Sequence, residues 1–263
     1  LSLQVSEFVK LAVVIYMAGY LVRHHDEVCD EMSGFVKPMV VLGIIAILLL
    51  IEPDFGATVV ILVTALSMMY LSGARVWKFG VLLGFVFVAM GILAISSPYR
   101  MARLTTFLNP WANQFNSGYQ LTQSLIAFGR GGLFGVGLGG SIQKLFYLPE
   151  AHTDFLFAVI GEELGLFGIL IIIGLYIVVV IRALFIGRRA QLVGQHCSAY
   201  MAYGFSIWLG MQAIVNIGVN AGILPTKGLT LPLISYGGSS MLIIFIVIAL
   251  LFRIDFEARL SSR

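Results

Sequence analysis

The sequence predicts an all-α, polytopic transmembrane bundle with about seven spans and one long extracytoplasmic loop. Two compositional facts lead there: mean hydropathy is +0.99, and 59% of the 263 residues are hydrophobic while only 11% are charged. The third is a succession of apolar runs of bilayer-crossing length. A soluble domain carries about 25% charged and about 45–50% apolar residues, so these charges are too few to build a water-soluble surface. A net charge of +3, scattered along the chain, is too small to suggest nucleic acid, and no nucleic acid is expected as a partner. Cys29 and Cys197 are far apart, match no metal or redox spacing, and read as free thiols.

A helix crossing a bilayer needs about 20 mainly apolar residues at 1.5 Å each. Seven segments meet or approach this: roughly 4–23, 37–52, 55–73, 77–97, 155–182, 197–217 and 236–253. The second is short and the fifth long, so tilted or interfacial ends are expected. No basic n-region precedes an apolar run in Leu1–Lys10, so no cleavable signal is read there. The chain has no starting Met and opens inside an apparent helix, as a fragment of a longer protein would.

Orientation follows from the cations. Arg23, Lys37, Arg75, Lys78, Arg182, Arg188 and Arg189 flank connections on one side, and Arg253, Arg259 and Arg263 follow the last span on that same side. The C-terminus is therefore expected in the cytoplasm. Residues 98–154 then form an extracytoplasmic loop, and loops of such length usually carry function. It holds turn signals at Asn109-Pro110 and Ser117-Gly118 and a glycine run from Gly129 to Gly140, so short helices or re-entrant pieces against the bundle are expected. With no internal repeat or linker, residues 1–263 read as a single domain.

Gly135-x-Gly137-x-x-Gly140 is formally a dinucleotide fingerprint, but no strand precedes it and no βαβ unit surrounds it. Close backbone packing is the better reading of these glycines. Ionisable residues near a membrane are costly and become functional candidates. Tyr147-Leu-Pro-Glu-Ala-His-Thr-Asp154 runs into the fifth span and places Glu150, His152 and Asp154 at the outer interface. From the residues alone, Asp154 is either a helix cap or a catalytic carboxylate. His152 reads as a hydrogen-bonding interface residue, and Glu150 as an exposed carboxylate or a charge tuning Asp154. Glu162 and Glu163 cannot both face lipid, and structural pairing is favoured for the inward one. Gln4, Glu7 and Lys10 share a face of the first helix, where Glu7 and Lys10 either neutralise each other or line a headgroup groove. Glu52-Pro53-Asp54 reads as a turn and cap. Arg100, Arg103 and Lys227 either snorkel to phospholipid or bind a diphosphate. Ser235 lies in Pro232–Ser240, a helix start whose hydroxyls are placed to meet a ligand.

Seven stretches resemble the SEDS family (shape, elongation, division and sporulation) of peptidoglycan glycosyltransferases. They are Val5-Ser-Glu-Phe-Val-Lys10, Glu52-Pro-Asp-Phe-Gly56, Ser97-Pro-Tyr-Arg100, Gly118-Tyr-Gln-Leu-Thr-Gln-Ser124, Tyr147–Phe155, Gly161-Glu-Glu-Leu-Gly165 and Leu231–Ser240, in order along nearly the whole chain. Asn220–Thr230 and Arg253–Glu257 resemble the division branch more than the elongation branch. The family usually has about ten spans, so the first three are expected to be missing.

The resemblance implies polymerisation of lipid II into septal glycan strands with inversion, undecaprenyl diphosphate leaving. It carries the catalytic general base onto Asp154; Lys227, Arg103 and Lys10 are the candidates for balancing the diphosphate, and Glu7, Glu150, His152 and Ser235 complete the substrate-binding candidates. It also implies a multi-pass protein of the bacterial inner membrane at the septum, with a class B penicillin-binding transpeptidase and other division proteins as partners. No cofactor is implied with certainty; the outer acids lack a metal-ligand spacing, and a divalent cation stays open. The rival readings are a lipid II flippase, which would need a polar path and often inverted repeats, and a non-catalytic division scaffold, which would have no use for Asp154.

Overall fold

The computed structural model describes residues 4–52, 54–82, 84, 111, 118–224 and 228–262. Its helices, in chain order, are α1 (Val5–Arg23), α2 (His25–Asp30), α3 (Met32–Ile51), α4 (Phe55–Leu71), α5 (Tyr119–Gly131), α6 (Leu156–Leu192), α7 (His196–Asn220) and α8 (Gly238–Ser261). Residues 76–82 are also helical, and a short π-helical turn covers Gln143–Tyr147. The rest of the expected fourth span and most of the early long loop lie outside the described residues. Among the described residues, five helices, α1, α3, α6, α7 and α8, are long and apolar enough to cross a membrane, and α4 is a shorter apolar helix. Pro38 is the seventh residue of α3, and the Gly34 carbonyl that its missing N–H leaves free accepts from the Tyr20 hydroxyl at 2.8 Å. α6 outruns the expected span, continuing through Arg182, Arg188 and Arg189.

Two compact units divide the chain. The first holds residues 1–82, 177–211 and 237–263. There α1 packs on α4 and α8, and α3 on α2 and α4. The usual amphipathic pattern is turned inside out: Ile44, Ile47 and Ile51 of α3 are exposed, whereas Ser6, Glu7, Lys10 and Thr64 are buried. Lipid solvates apolar side chains, so the outward face stays greasy and polar groups find partners inside. Gly204 lets α7 approach closely, since a Cβ there would come within 2.6 Å of Val14 and 2.7 Å of the Met68 sulfur. Lys78 is buried and donates to the carbonyls of Val28 (2.9 Å), Cys29 (3.2 Å) and Glu31 (2.6 Å). A cation there satisfies the orphan carbonyls and the negative end of α2. Arg189 and Arg259 both pair with Asp255, at 2.6 and 2.7 Å.

The second unit holds residues 83–176 and 212–236. Its organising feature is a break in α6 at Gly165, whose φ of 66° and ψ of −165° are not helical. The glycine segment runs across this break. Val136 and Gly137 donate to the carbonyls of Glu162 and Glu163, both at 3.0 Å, while Leu166 and Phe167 donate back to Gly132 (3.0 Å) and Leu133 (3.2 Å). The backbone groups freed by the break are thus satisfied by a second strand of chain. Only glycine permits the approach: a Cβ on Gly135 would lie 2.0 Å from the Glu163 carbonyl oxygen.

The two acids of Gly161-Glu-Glu-Leu-Gly165 are both paired. Glu162 is fully buried and accepts from Arg130 (2.7 Å), the Ser141 hydroxyl, and the amides of Ile142 (3.1 Å) and Gln143 (3.3 Å). Glu163 pairs with Lys144 at 2.6 Å. Together they fasten residues 141–144 to α6. This compensates a buried charge and gives the stretch before Asp154 a fixed end.

Candidate active site

Asp154 ends the turn that follows Leu148-Pro149-Glu150, two residues before α6 begins. The turn is anchored by an apolar cluster of Leu148, Ala151, Phe155, Ala158, Ala127 and Val219. Its backbone passes through the left-handed region at Glu150, φ 56°. The Glu150 carboxylate is exposed and accepts from the Thr153 hydroxyl at 2.7 Å. His152 is exposed, and its carbonyl accepts from the amide of Tyr236 at 3.0 Å, which ties this turn to the 228–236 loop.

Asp154 is half-buried, and its main chain is held from α7. Its carbonyl oxygen accepts from the side-chain amides of Asn216 and Asn220, each at 2.9 Å. The Asn220 Oδ1 accepts from the amide of Ala158 in the first turn of α6, at 3.2 Å. Asn216 also donates to the carbonyl of Leu229 at 2.5 Å, and Gln212 to that of Thr230 at 2.9 Å. Gln212, Asn216 and Asn220 recur every four residues, so they line one face of α7. All three are buried. That face grips the backbones of two loops, the one ending at Asp154 and the one at 228–236. An added Cβ on Gly228 would lie 2.8 Å from the Asp154 Oδ2, so the second loop passes directly against the carboxylate.

Ser235 serves the shape of that second loop. Its hydroxyl accepts from the amide of Leu231 at 3.0 Å, and its own amide donates to the Leu231 carbonyl at 3.0 Å. The turn forces Leu233 to a φ of 67°, a conformation costing a branched L-residue about 1–2 kcal/mol. The Tyr176 hydroxyl, donating to the Pro232 carbonyl, helps hold it there.

Glu7 and Lys10 lie in the other unit, on α1. Their side chains are buried and paired at 2.8 Å, and the Lys10 ammonium sits 5.3 Å from the centre of the Trp208 ring. Glu7 Oε2 has no hydrogen-bond partner among the described residues. Asp54 caps α4, its Oδ1 accepting from the amide of Ala57 at 3.1 Å. Arg103 and Lys227 lie outside the described residues. Among the described residues no group of three or more His, Cys, Asp and Glu is placed to hold a metal ion.

The sequence reading missed Gln212, Asn216, Asn220 and Gly228. A signal for the amides was present: three carboxamides at four-residue spacing in an otherwise apolar span must face partners inside the protein. Their target is an unremarkable backbone carbonyl, which no sequence pattern marks.

Comparison with known proteins identifies the family. The model of the FtsW/RodA/SpoVE cell cycle proteins matches residues 1–260. The chain is 63% identical over 263 residues to a probable peptidoglycan glycosyltransferase FtsW of Legionella pneumophila, covering 100% of this chain and 66% of that protein. The corresponding protein of Coxiella burnetii is 61% identical over 257 residues, with coverage of 98% and 69%. The chain therefore spans about two thirds of the length of these relatives. Among solved structures, a chain of a peptidoglycan synthase complex that coordinates polymerization and crosslinking shares the fold. Its TM-score is 0.77 at 24% identity, over 98% of this chain and 71% of that one. The rod shape determining protein RodA of Thermus thermophilus gives a TM-score of 0.66 at 25% identity, over 98% and 67%. Matched nearly end to end, this chain of membrane-length helices belongs to the FtsW/RodA/SpoVE family of cell cycle proteins.

Proposed function

We propose that the protein to which this chain belongs is a peptidoglycan glycosyltransferase that polymerises lipid II, with Asp154 as the general base. The observation that carries the reading is the setting of Asp154: a half-buried carboxylate at the head of α6, its backbone held by two buried amides and its Oδ2 flanked by Gly228. The names of the relatives above, which are 63% and 61% identical to this chain over the matched residues, support the same activity.

The chemistry follows from what such a group can do. Asp154 accepts the proton of the acceptor sugar 4-hydroxyl as that oxygen attacks the anomeric carbon of the donor. The carbon–oxygen bond to the diphosphate breaks on the opposite face, so configuration inverts and undecaprenyl diphosphate departs. General-base catalysis of this kind contributes roughly 10²–10⁴-fold. A diphosphate leaves without protonation when cations balance its charge. Lys227, Arg103 and Lys10 are proposed for that role, Glu7 as the partner that holds Lys10, and Glu150, His152 and Ser235 as neighbours shaping the sugar site.

The same proposal places the protein in the bacterial inner membrane at the septum, with the catalytic face outside and the C-terminus in the cytoplasm. The side bias of the cations and the division-branch names of the relatives support this. A class B penicillin-binding transpeptidase is proposed as partner, by way of the synthase complex whose chain shares this fold.

The test is lipid II polymerisation by the full-length protein with a partner whose transpeptidase site is disabled. Wild type is compared with Asp154→Asn, folding being checked by melting. Glycan strands from wild type, and only a residual rate roughly 10²–10⁴-fold lower from a folded mutant, are expected. Equal polymer from both would remove Asp154 from the chemistry and send the search to Glu150 and Glu52. Polymer from neither would favour a flippase or a scaffold.

A further inference from the structure

We propose that Asn216 and Asn220 are positioning residues for Asp154, an amide clamp on α7 that aims its carboxylate by fixing its main chain. The inference rests on the reading of Asp154 as general base and adds the residues that make it one.

The hydrogen bonding leaves the clamp little freedom. A carbonyl oxygen has two lone pairs, and Asp154 receives two donors, Asn216 Nδ2 and Asn220 Nδ2, each at 2.9 Å. The orientation of the Asn220 amide is set independently, because its Oδ1 faces the Ala158 N–H at 3.2 Å. Its Nδ2 must then face carbonyls, and it finds those of Asp154 and of Asn216, the latter also at 2.9 Å. The Asn220 carbonyl is in turn held by the Ser124 hydroxyl of α5 at 2.8 Å.

Both asparagines are essentially free of solvent, 2% and 0% exposed, so bulk water does not compete for their bonds. The clamp therefore holds the peptide leaving Asp154 and the first turn of α6 together. On the other side, Gly228 abuts the Oδ2. With its Cα held from behind and its carboxylate bounded in front, Asp154 is confined to a narrow range of directions.

Such precision is what general-base catalysis demands, because a misplacement of about 1 Å costs on the order of 10²-fold in rate. A simple cap would need only the Ala158 bond. Two further donors on a carbonyl outside the helix add nothing to helix formation. They do hold the one residue whose direction matters.

The experiment measures kcat and KM for lipid II in Asn216→Ala and Asn220→Ala, alone and combined with Asp154→Asn, in the full-length protein with its partner. Thr122→Val, which removes a buried hydroxyl bonded to the carbonyls of Gly118 and Tyr119, serves as the control for general loosening of this unit. Each Asn variant is expected to lose about 10–100-fold in kcat with KM within about twofold. Thr122→Val should lower the melting temperature comparably and leave kcat near wild type. In the Asp154→Asn background, neither Asn variant should lower the residual rate further, because the group they aim is gone.

Unchanged kcat in both Asn variants, with Asp154→Asn inactive, would overturn the clamp and leave the general base standing. An active Asp154→Asn would overturn both. A matching loss of rate in Thr122→Val, or failure of both Asn variants to fold, would make the pair a stability element and end the proposal.

Discussion

Gly228 and Asp154 are in contact across the candidate site: a Cβ built on the glycine would stand 2.8 Å from the aspartate Oδ2. The atom in the way is the end of a flexible side chain, and Gly228 does not have a positive φ. Gly228→Ala should therefore fold nearly as well as wild type while displacing the carboxylate. The expected result is a melting temperature within a few degrees and a fall in kcat of about tenfold or more, by the same misplacement argument. A melting curve and a lipid II polymerisation assay on one preparation separate the two effects.

The Glu7–Lys10 pair offers a different separation. Removing one partner leaves a buried uncompensated charge, which costs about 3–5 kcal/mol, while replacing both by apolar groups is often close to neutral. Lys10→Met is expected to lower stability by that amount, and Glu7→Leu with Lys10→Met to recover most of it. Thermal melting checks the recovery. If the recovered double variant fails to polymerise lipid II, the pair has a role with substrate beyond holding α1.

The glycine crossing at Gly165 is predicted to tolerate substitution unevenly. Gly135 has a φ of 80° and no room beside the Glu163 carbonyl, so Gly135→Ala combines left-handed strain with a backbone collision. A loss of about 3 kcal/mol or more is expected. Gly132 has a φ of 52° with open space around its Cβ position, so Gly132→Ala should lose only the strain, about 1–2 kcal/mol. Denaturation of the two variants in one detergent ranks them.

Glu27, on the short α2, is the group whose titration is open to a pH test. A hydrogen bond from Lys37, at 2.8 Å, holds its carboxyl below the usual carboxylate range. A lowered folded value adds stability above the unfolded value, and that stability disappears as pH falls through the lowered one. Titration of Glu27 followed by NMR should show a midpoint below the usual range, rising to it in Lys37→Met. Because both groups are exposed, the melting temperature near neutral pH should barely move.

Much of the protein was legible in its sequence, and the reason is the solvent. Lipid offers backbone groups no hydrogen bonds, so a span must be a helix of bilayer length, and hydropathy alone announces it. The helices α1, α3, α4, α6, α7 and α8 lie where apolar runs were read, and the motifs around Tyr147–Phe155 and Gly161–Gly165 named the family. The pairing of one of the two acids, Glu162 and Glu163, was foreseeable too, since buried charge demands a partner; that both are paired, and that Arg130, Ser141 and Lys144 are the partners, could not be chosen by rule.

The tertiary structure alone decided how Asp154 is held. Asn216 and Asn220 reach it from 62 and 66 residues away, and they bind a carbonyl that every residue type carries. Gly135 meets the Glu163 carbonyl only because α6 breaks at Gly165, and Gly228 meets Asp154 only because Gln212 and Asn216 hold its loop down. Hydropathy and local spacing act between neighbours in the chain. A hydrogen bond between a side chain and a distant backbone atom leaves no periodic mark, and it exists only once the helices have packed.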